Sequence, residues 1–225
     1  MPWSHMIVKC EIVTWDKVFS MCRILRDRIV RSGFQPETII ALARSGFIPG
    51  RLLSDFLSVP DLVSLKVEHW LDTTAEHKDV ATIPYRTPFK IEGRAVLIAD
   101  DIVDTGKSML AAKEYLLDFK PFSLKTAVMQ HIAPTAICTP DFYAELIQEW
   151  TWFVYPWNMV EDFRNLTGKL LSAKGVPLTL EELIAGFKEE FNVQVPEQQL
   201  VDALSEMERR RKLERIGDRF SLRPR

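Results

Sequence analysis

The segment from residue 94 to residue 108, RAVLIADDIVDTGKS, constrains the fold of this chain more than any other. Its apolar first part contains β-branched residues and predicts a buried strand, which is expected to stop at Asp100 and Asp101. A short turn containing Gly106 follows, and the apolar spacing of residues 109–119 predicts a helix. This order places the polar side chains at the carboxyl end of a strand, where open α/β sheets bind ligands.

The turn after this strand has the composition of a phosphate site. Thr105 and Ser108 offer hydroxyl donors, and Gly106 lets the backbone approach a ligand closely. The N-terminus of the following helix favours negative charge. Asp100 and Asp101 would repel a phosphate, so the ligand should also carry hydroxyl groups or a divalent cation. A sugar phosphate with Mg²⁺ meets these needs.

A nucleotide P-loop is the nearest alternative, because Gly106, Lys107 and Ser108 resemble the end of that motif. The motif also requires a glycine five positions before Gly106, where this chain has Asp101. The sequence therefore does not predict a P-loop.

A second polar turn follows the apolar strand predicted at residues 38–43. Arg44, Ser45 and Gly46 place a cation, a hydroxyl group and a glycine before the next predicted helix. The arrangement repeats that of an anion site at a strand's carboxyl end. An ordinary helix start with a solvent-exposed arginine would have the same pattern.

Residues 96–108 closely resemble the phosphoribosyl pyrophosphate signature of the type I phosphoribosyltransferases, in which hydrophobic residues precede two acidic residues and a D-T-G-K-[ST] loop. The resemblance implies an α/β fold with a central, mainly parallel, twisted sheet flanked by helices. It implies that Asp100 and Asp101 hold the ribose hydroxyls, directly or through Mg²⁺, and that Asp104 is the candidate general base. The 5′-phosphate loop would comprise Asp104, Thr105, Gly106, Lys107 and Ser108.

The same resemblance assigns Arg44, Ser45 and Gly46 to a pyrophosphate loop with an exposed backbone, often containing a cis peptide. It also implies that residues 69–89, which have little periodicity, form a lid that closes over the reaction and excludes water. A surface hairpin without a catalytic role is the alternative for this segment.

Residues 149–158, EWTWFVYPWN, are rich in aromatic side chains and predict a strand. Such side chains stack on heterocycles, although a core strand would have a similar composition. The 6-oxopurine phosphoribosyltransferases carry a similar segment, so the resemblance implies that Trp152 and Phe153 bind the base. His131 lies near the position where several members use a lysine to contact the exocyclic oxygen of the purine.

Residues 164–225 lie outside the resemblance, which defines residues 1–163 as the predicted phosphoribosyltransferase domain. Three helices, one of them capped by Thr179, and two short strands around Gly217 and Asp218 predict a small winged-helix-like α+β module. Such modules bind DNA or proteins. The basic run at residues 209–212 could contact nucleic acid phosphates, but the nearly balanced charge of the module favours a solvent-exposed helix end.

Composition limits the class of protein. A net charge of −2 and 47% hydrophobic residues are typical of a soluble globular protein. Three widely spaced cysteines indicate a reducing compartment and no metal cluster. No apolar stretch approaches the roughly 20 residues that span a bilayer, and residues 1–11 lack a signal-peptide core, so we expect a cytoplasmic protein without membrane contact.

The sequence therefore predicts a Mg²⁺-dependent purine phosphoribosyltransferase of purine salvage. It would transfer the phosphoribosyl group of phosphoribosyl pyrophosphate to a 6-oxopurine and release pyrophosphate. The resemblance implies a homodimer. A transcriptional regulator that senses phosphoribosyl pyrophosphate with the same fold, and an enzyme acting on a different base, are the alternatives.

Overall fold

The computed structural model describes residues 8–70 and 80–223, and no helix within these ranges is long and apolar enough to span a membrane. The elements, in chain order, are β1 (Cys10–Ile12), α1 (Trp15–Arg31), β2 (Thr38–Ala43), α2 (Phe47–Phe56), β3 (Leu62–Lys66), β4 (Glu68–Trp70), β5 (Val80–Thr82), β6 (Ala95–Val103), α3 (Lys107–Leu117), β7 (Ser123–Ile132), β8 (Phe142–Ile147), β9 (Trp152–Val154), α4 (Met159–Lys174), α5 (Leu180–Phe191), α6 (Glu197–Arg209), β10 (Leu213–Ile216) and β11 (Arg219–Leu222).

The chain forms two compact units. Of the described residues, 15–70 and 80–150 form the first, called the sheet unit below. Residues 8–14 and 151–223 form the second, called the tail unit. The domain boundary predicted between residues 163 and 164 falls inside α4 in this arrangement. The difference arises because β1 and β9 pair with each other and share a hydrophobic core with the tail helices.

The sheet unit contains a parallel five-stranded sheet with the strand order β3-β2-β6-β7-β8. The central strands β2 and β6 are buried along most of their length, which explains their nearly continuous apolar sequences. α1 presents an apolar face at helical spacing and packs against α2 and β8. The predicted α/β fold class with a central parallel sheet is confirmed.

The strands differ from the sequence prediction in two respects. β6 does not stop at the carboxylates but continues to Val103, because its last residues pair with β7, including Val103 with His131. Asp100 and Asp101 therefore lie within the strand. β8 was not predicted, although its buried Phe142 and Ala144 alternate with less buried residues in the period of a strand.

Part of the predicted lid lies outside the described residues. β4 and β5, which lie before and after residues 71–79, pair antiparallel, and Glu68 pairs with Thr82. Residues 71–79 between them are not described. The lid function of residues 69–89 therefore stays a prediction.

The tail unit combines the parallel pair β1 and β9 with three helices and a hairpin. The predicted cap of α5 is confirmed: Thr179 accepts a hydrogen bond from the Glu182 N–H, and the Glu182 side chain accepts one from the Thr179 N–H. The predicted short strands are also confirmed as β10 and β11, joined by a turn in which Gly217 has a φ of 66°. Leu178 forms a single antiparallel bridge with Phe220 of β11.

All three cysteines are free thiols. Burial raises the pKa of both Cys10 and Cys22 to about 12. Burial also raises the pKa of Cys138. Burial therefore disfavours the reactive thiolate form at all three positions.

Candidate active site

Two loops leave neighbouring strands at the carboxyl edge of the sheet. The β2 loop (Arg44, Ser45, Gly46) follows β2, and the β6 loop (residues 104–108) follows β6. β2 and β6 are adjacent and in register, with Ala41 opposite Ala99. The sheet therefore brings together the two segments that the sequence identified as anion sites.

Gly46 holds the β2 loop close to β6. A Cβ atom at this position would lie 2.5 Å from the Ala99 carbonyl oxygen and 2.6 Å from that of Leu42. Both neighbours are backbone atoms, so only glycine fits without displacing the strands. The peptide bond between Ala43 and Arg44 is cis, a feature that the family resemblance implied for this loop.

Lys66 is a candidate residue that the sequence reasoning missed. It is the last residue of β3 and lies opposite Ala43 in the sheet, next to the β2 loop. A hydrogen bond to Glu68 raises the pKa of Lys66, and the nearby Arg44 charge opposes that shift. A second cation therefore stands close to Arg44. Its position at the carboxyl end of the strand predicted after the β2 loop was the available signal in the sequence.

Asp100 and Asp101 form an acidic pair in which Asp101 is buried and Asp100 is half-buried. The Asp101 N–H donates to Asp100 Oδ1 at 2.9 Å, and the Asp101 residue is only 4% exposed. Burial and the neighbouring Asp101 carboxylate raise the pKa of Asp100. Hydroxyl donors or a cation from a ligand would relieve this repulsion.

The acidic pair fits Mg²⁺ in its donor chemistry, since Mg²⁺ prefers carboxylate oxygens and often takes its other ligands from substrate phosphates and water. Within the described ranges, no three His, Cys, Asp or Glu side chains come together as a metal site. A magnesium ion at Asp100 and Asp101 would thus need oxygen ligands from the substrate.

The β6 loop has the shape of an anion nest. Gly106 precedes α3 with a φ of 83°, a conformation that disfavours other residues. A Cβ atom on Gly106 would also lie 2.6 Å from Cys138 Sγ. The Ile137 N–H donates to the Thr105 carbonyl oxygen at 2.9 Å, which ties the loop to the connection between β7 and β8. The loop that precedes the N-terminus of α3 is therefore held in place, as a site for an anion at that helix end requires.

Asp104, the predicted general base, is held by two side chains from distant parts of the sequence. The Thr135 hydroxyl donates to Asp104 Oδ1. The Trp150 indole N–H donates to Asp104 Oδ2 at 3.4 Å. Neither donor was identified from the sequence, since both are separated from Asp104 by about thirty residues or more.

His131 lies near the carboxyl end of β7, opposite Val103 of β6. The residue is 5% exposed, and the centre of its ring is 5.4 Å from that of the Tyr143 ring. Nδ1 is buried and has no hydrogen-bond partner among the described residues. Burial lowers the pKa of the imidazole, which favours its neutral form.

Trp152 and Phe153 belong to the tail unit, on β9. The Trp152 indole N–H donates to Asp162 Oδ1 at 3.1 Å, and Lys169 Nζ lies 4.7 Å from the centre of the Trp152 ring. Phe153 is buried, 7% exposed, and its ring centre is 6.5 Å from that of Tyr155. Both side chains thus contact other residues of the tail unit.

Comparison with known protein families gives a match to the phosphoribosyl transferase domain over residues 11–159. The chain belongs to the phosphoribosyltransferase family. It is therefore an enzyme of the glycosyltransferase type. The matched segment includes both loops, the acidic pair and β9, whereas most of the tail unit's helices lie beyond it.

The curated proteins to which the chain is similar include xanthine-guanine phosphoribosyltransferases from several bacteria. That of Idiomarina loihiensis is 29% identical over 148 residues, covering 65% of this chain and 86% of the relative. That of Nitratidesulfovibrio vulgaris is 26% identical over 148 residues, covering 65% and 83%. Among solved structures, a purine phosphoribosyltransferase from Pyrococcus horikoshii aligns with a TM-score of 0.57 and 26% identity, over 68% of this chain and 94% of that one.

Proposed function

We propose that this phosphoribosyltransferase transfers the 5-phosphoribosyl group of phosphoribosyl pyrophosphate to a 6-oxopurine, releasing pyrophosphate and forming a nucleoside monophosphate for purine salvage. The observation that carries the proposal is the meeting of the β2 loop, the β6 loop and the acidic pair at the carboxyl edge of one sheet. Two anion sites beside two carboxylates suit a ligand with phosphates at both ends and a ribose between them. The names of the relatives support a purine as the acceptor.

In this proposal the residues of the sheet unit divide the substrate between them. The β6 loop binds the 5′-phosphate, and the β2 loop with Lys66 binds the leaving pyrophosphate. Asp100 and Asp101 hold the ribose hydroxyls, and their charge stabilises the positive charge that develops on the ribose carbon. Bound Mg²⁺ would neutralise negative charge on the leaving pyrophosphate.

The attacking purine must lose a ring proton, and Asp104 accepts it in this proposal. Base binding is assigned, on the resemblance, to His131, Trp152 and Phe153. A neutral His131 has one N–H group, which can donate to the exocyclic oxygen of a 6-oxopurine. The homodimer implied by the resemblance would be tested by sedimentation equilibrium.

A single assay tests the proposed function. The protein is incubated with phosphoribosyl pyrophosphate, Mg²⁺ and one of six bases: hypoxanthine, guanine, xanthine, adenine, uracil or orotate. We expect pyrophosphate and a nucleoside monophosphate with at least one of the first three. Product only with adenine, uracil or orotate would instead support an enzyme for a different base, and no product with any base would overturn the proposal.

Replacing Lys107 tests the 5′-phosphate assignment. Lys107→Ala removes a charge at the start of α3, and we expect the KM for phosphoribosyl pyrophosphate to rise by about 10-fold or more, since charge-assisted contacts are worth about 1.5–3 kcal/mol. The value of kcat should change much less. Steady-state kinetics with Lys113→Ala, further along α3, serve as the control. An unchanged KM in Lys107→Ala would remove the residue from the phosphate loop.

The charges of the tail unit disfavour the regulator alternative. In helix-turn-helix modules the recognition helix enters the DNA groove, and α6 has the corresponding position in the chain. Its exposed or half-exposed polar residues include Glu197, Asp202 and Glu208, which would face phosphates. Arg209 and Arg210 both bond to Glu206, and these bonds lower the pKa of Glu206 to about 2.

We therefore expect no saturable binding of duplex DNA to the full chain in a fluorescence-anisotropy titration, even at about 50 mM salt, where contacts to phosphates are strongest. Affinity that falls steeply as salt is raised would contradict this expectation and revive the regulator. Glu206→Gln provides a comparison, because it releases Arg209 and Arg210 from their carboxylate.

A further inference from the structure

We propose that Thr135 and Trp150 are positioning residues for Asp104, holding one oxygen each of the carboxylate that accepts the purine's proton. The inference rests on the proposed function, in which Asp104 is the general base. It adds two residues outside the family signature at residues 96–108. Both belong, with Asp104, to the sheet unit.

Thr135 lies in the connection between β7 and β8, and this connection is tied to the β6 loop in several places. The Thr135 hydroxyl donates to Asp104 Oδ1, and the Ile137 N–H donates to the Thr105 carbonyl oxygen at 2.9 Å. Cys138 Sγ lies 3.7 Å from the Gly106 carbonyl oxygen. The Thr135 hydroxyl is therefore presented to Asp104 by a segment whose own position is fixed against the loop.

Trp150 reaches the other carboxylate oxygen from the segment that follows β8. Its indole nitrogen is a donor only, so the 3.4 Å contact with Asp104 Oδ2 has a defined direction. The side chain is partly exposed, with 38% of the residue accessible. The Trp150 N–H thus contacts the candidate base at an exposed position.

Two donors on different oxygens control the orientation of the carboxylate. The terminal torsion of an aspartate side chain is soft, so a free carboxylate samples a wide range of angles. One hydrogen bond to each oxygen restricts this rotation. A carboxylate has about four lone-pair sites, so two remain available to accept the proton of the purine. Proton transfer requires such a prearranged geometry.

Conservative substitutions test the role. Thr135→Val and Trp150→Phe each remove one donor, and we expect kcat to fall by roughly 10-fold in each, a part of the 10²-fold or more that a general base contributes. The KM for phosphoribosyl pyrophosphate should stay unchanged, and Thr135→Ser should restore kcat. Thr139→Val in the same connection and Trp15→Phe on α1 are the matched controls. Unchanged kcat in both test variants would overturn the proposal.

The effect should also depend on the carboxylate. In an Asp104→Asn background the general base is already lost, so adding Thr135→Val should lower kcat no further, because residues that act as one unit are not additive. A second, independent decrease of similar size in the double variant would show that Thr135 acts elsewhere and would overturn its assignment.

A readout without turnover separates this inference from the proposed function. The chain has six tryptophans, so ¹⁵N-labelled tryptophan gives few indole N–H resonances, and the Trp150 resonance is the one missing in Trp150→Phe. We expect it to shift in Asp104→Ala and to stay in place in Thr139→Val. A Trp150 resonance that does not move in Asp104→Ala would show that Trp150 does not contact Asp104. If the Trp150 resonance shifts in Asp104→Ala but the protein is inactive with every base, the contact between Trp150 and Asp104 stands. The proposed function and the catalytic role of Thr135 and Trp150 would then be overturned.

Discussion

Asp104→Asn is expected to lower kcat by about 10²-fold, the smaller end of what a general base contributes. The amide cannot take the proton that the purine loses. Its oxygen can still accept a hydrogen bond from Thr135 or Trp150, so the geometry around the residue should be largely retained. Steady-state kinetics with the preferred purine give kcat, and isothermal titration gives the Kd for phosphoribosyl pyrophosphate, which should be nearly unchanged.

Asp118→Asn is the matched control for this substitution. Asp118 is the exposed C-cap of α3, at the other end of the helix that begins beside the β6 loop. Asp118→Asn should leave both kcat and the Kd for phosphoribosyl pyrophosphate unaltered. If Asp104→Asn also has the wild-type kcat, Asp104 is not the base. If it instead abolishes binding of phosphoribosyl pyrophosphate, the Asp104 carboxylate acts in substrate binding rather than as the base.

Gly46→Ala is expected to reduce both stability and activity. The new methyl group would lie 2.5 Å from the Ala99 carbonyl oxygen and 2.6 Å from that of Leu42. Neither backbone atom can rotate away, so the β2 loop or the strands must move. Overpacking of this kind costs up to about 3 kcal/mol of the free energy of unfolding. A displacement of the loop by about 1 Å would lower kcat/KM by up to about 10²-fold.

The comparison for this glycine is Gly168→Ala. Gly168 lies inside α4, and a Cβ atom there would have no neighbour within 4 Å. Alanine stabilises a helix interior relative to glycine by about 0.5–1 kcal/mol, so this variant should unfold at slightly higher urea concentration. Wild-type stability and kcat/KM in Gly46→Ala would mean that the β2 loop is not held tightly against β6.

The sequence predicted the features that depend on neighbouring residues. The apolar runs of β2 and β6 indicated buried parallel strands because such strands are covered on both faces. The cap at Thr179 was predicted because its partner is three residues away. The signature at residues 96–108 carried the family resemblance, which the match over residues 11–159 confirmed.

Other features were decided by contacts between distant segments. β6 extends past its carboxylates because β7 supplies hydrogen-bond partners. β1 and β9 are short strands that lie far apart in sequence. Among the described residues, they form a two-stranded sheet with each other. Lys66 stands beside the β2 loop because β3 and β2 are in register.

By itself, the sequence determined the α/β class, the family and the residue types of the two loops, because each of these is encoded in short, ordered patterns. Only the tertiary structure decided how Asp104 is held. Nothing in the local sequence links Thr135 or Trp150 to Asp104, since each is separated from it by more than thirty residues along the chain. They gain a role only because the folded sheet unit brings both donors to one carboxylate.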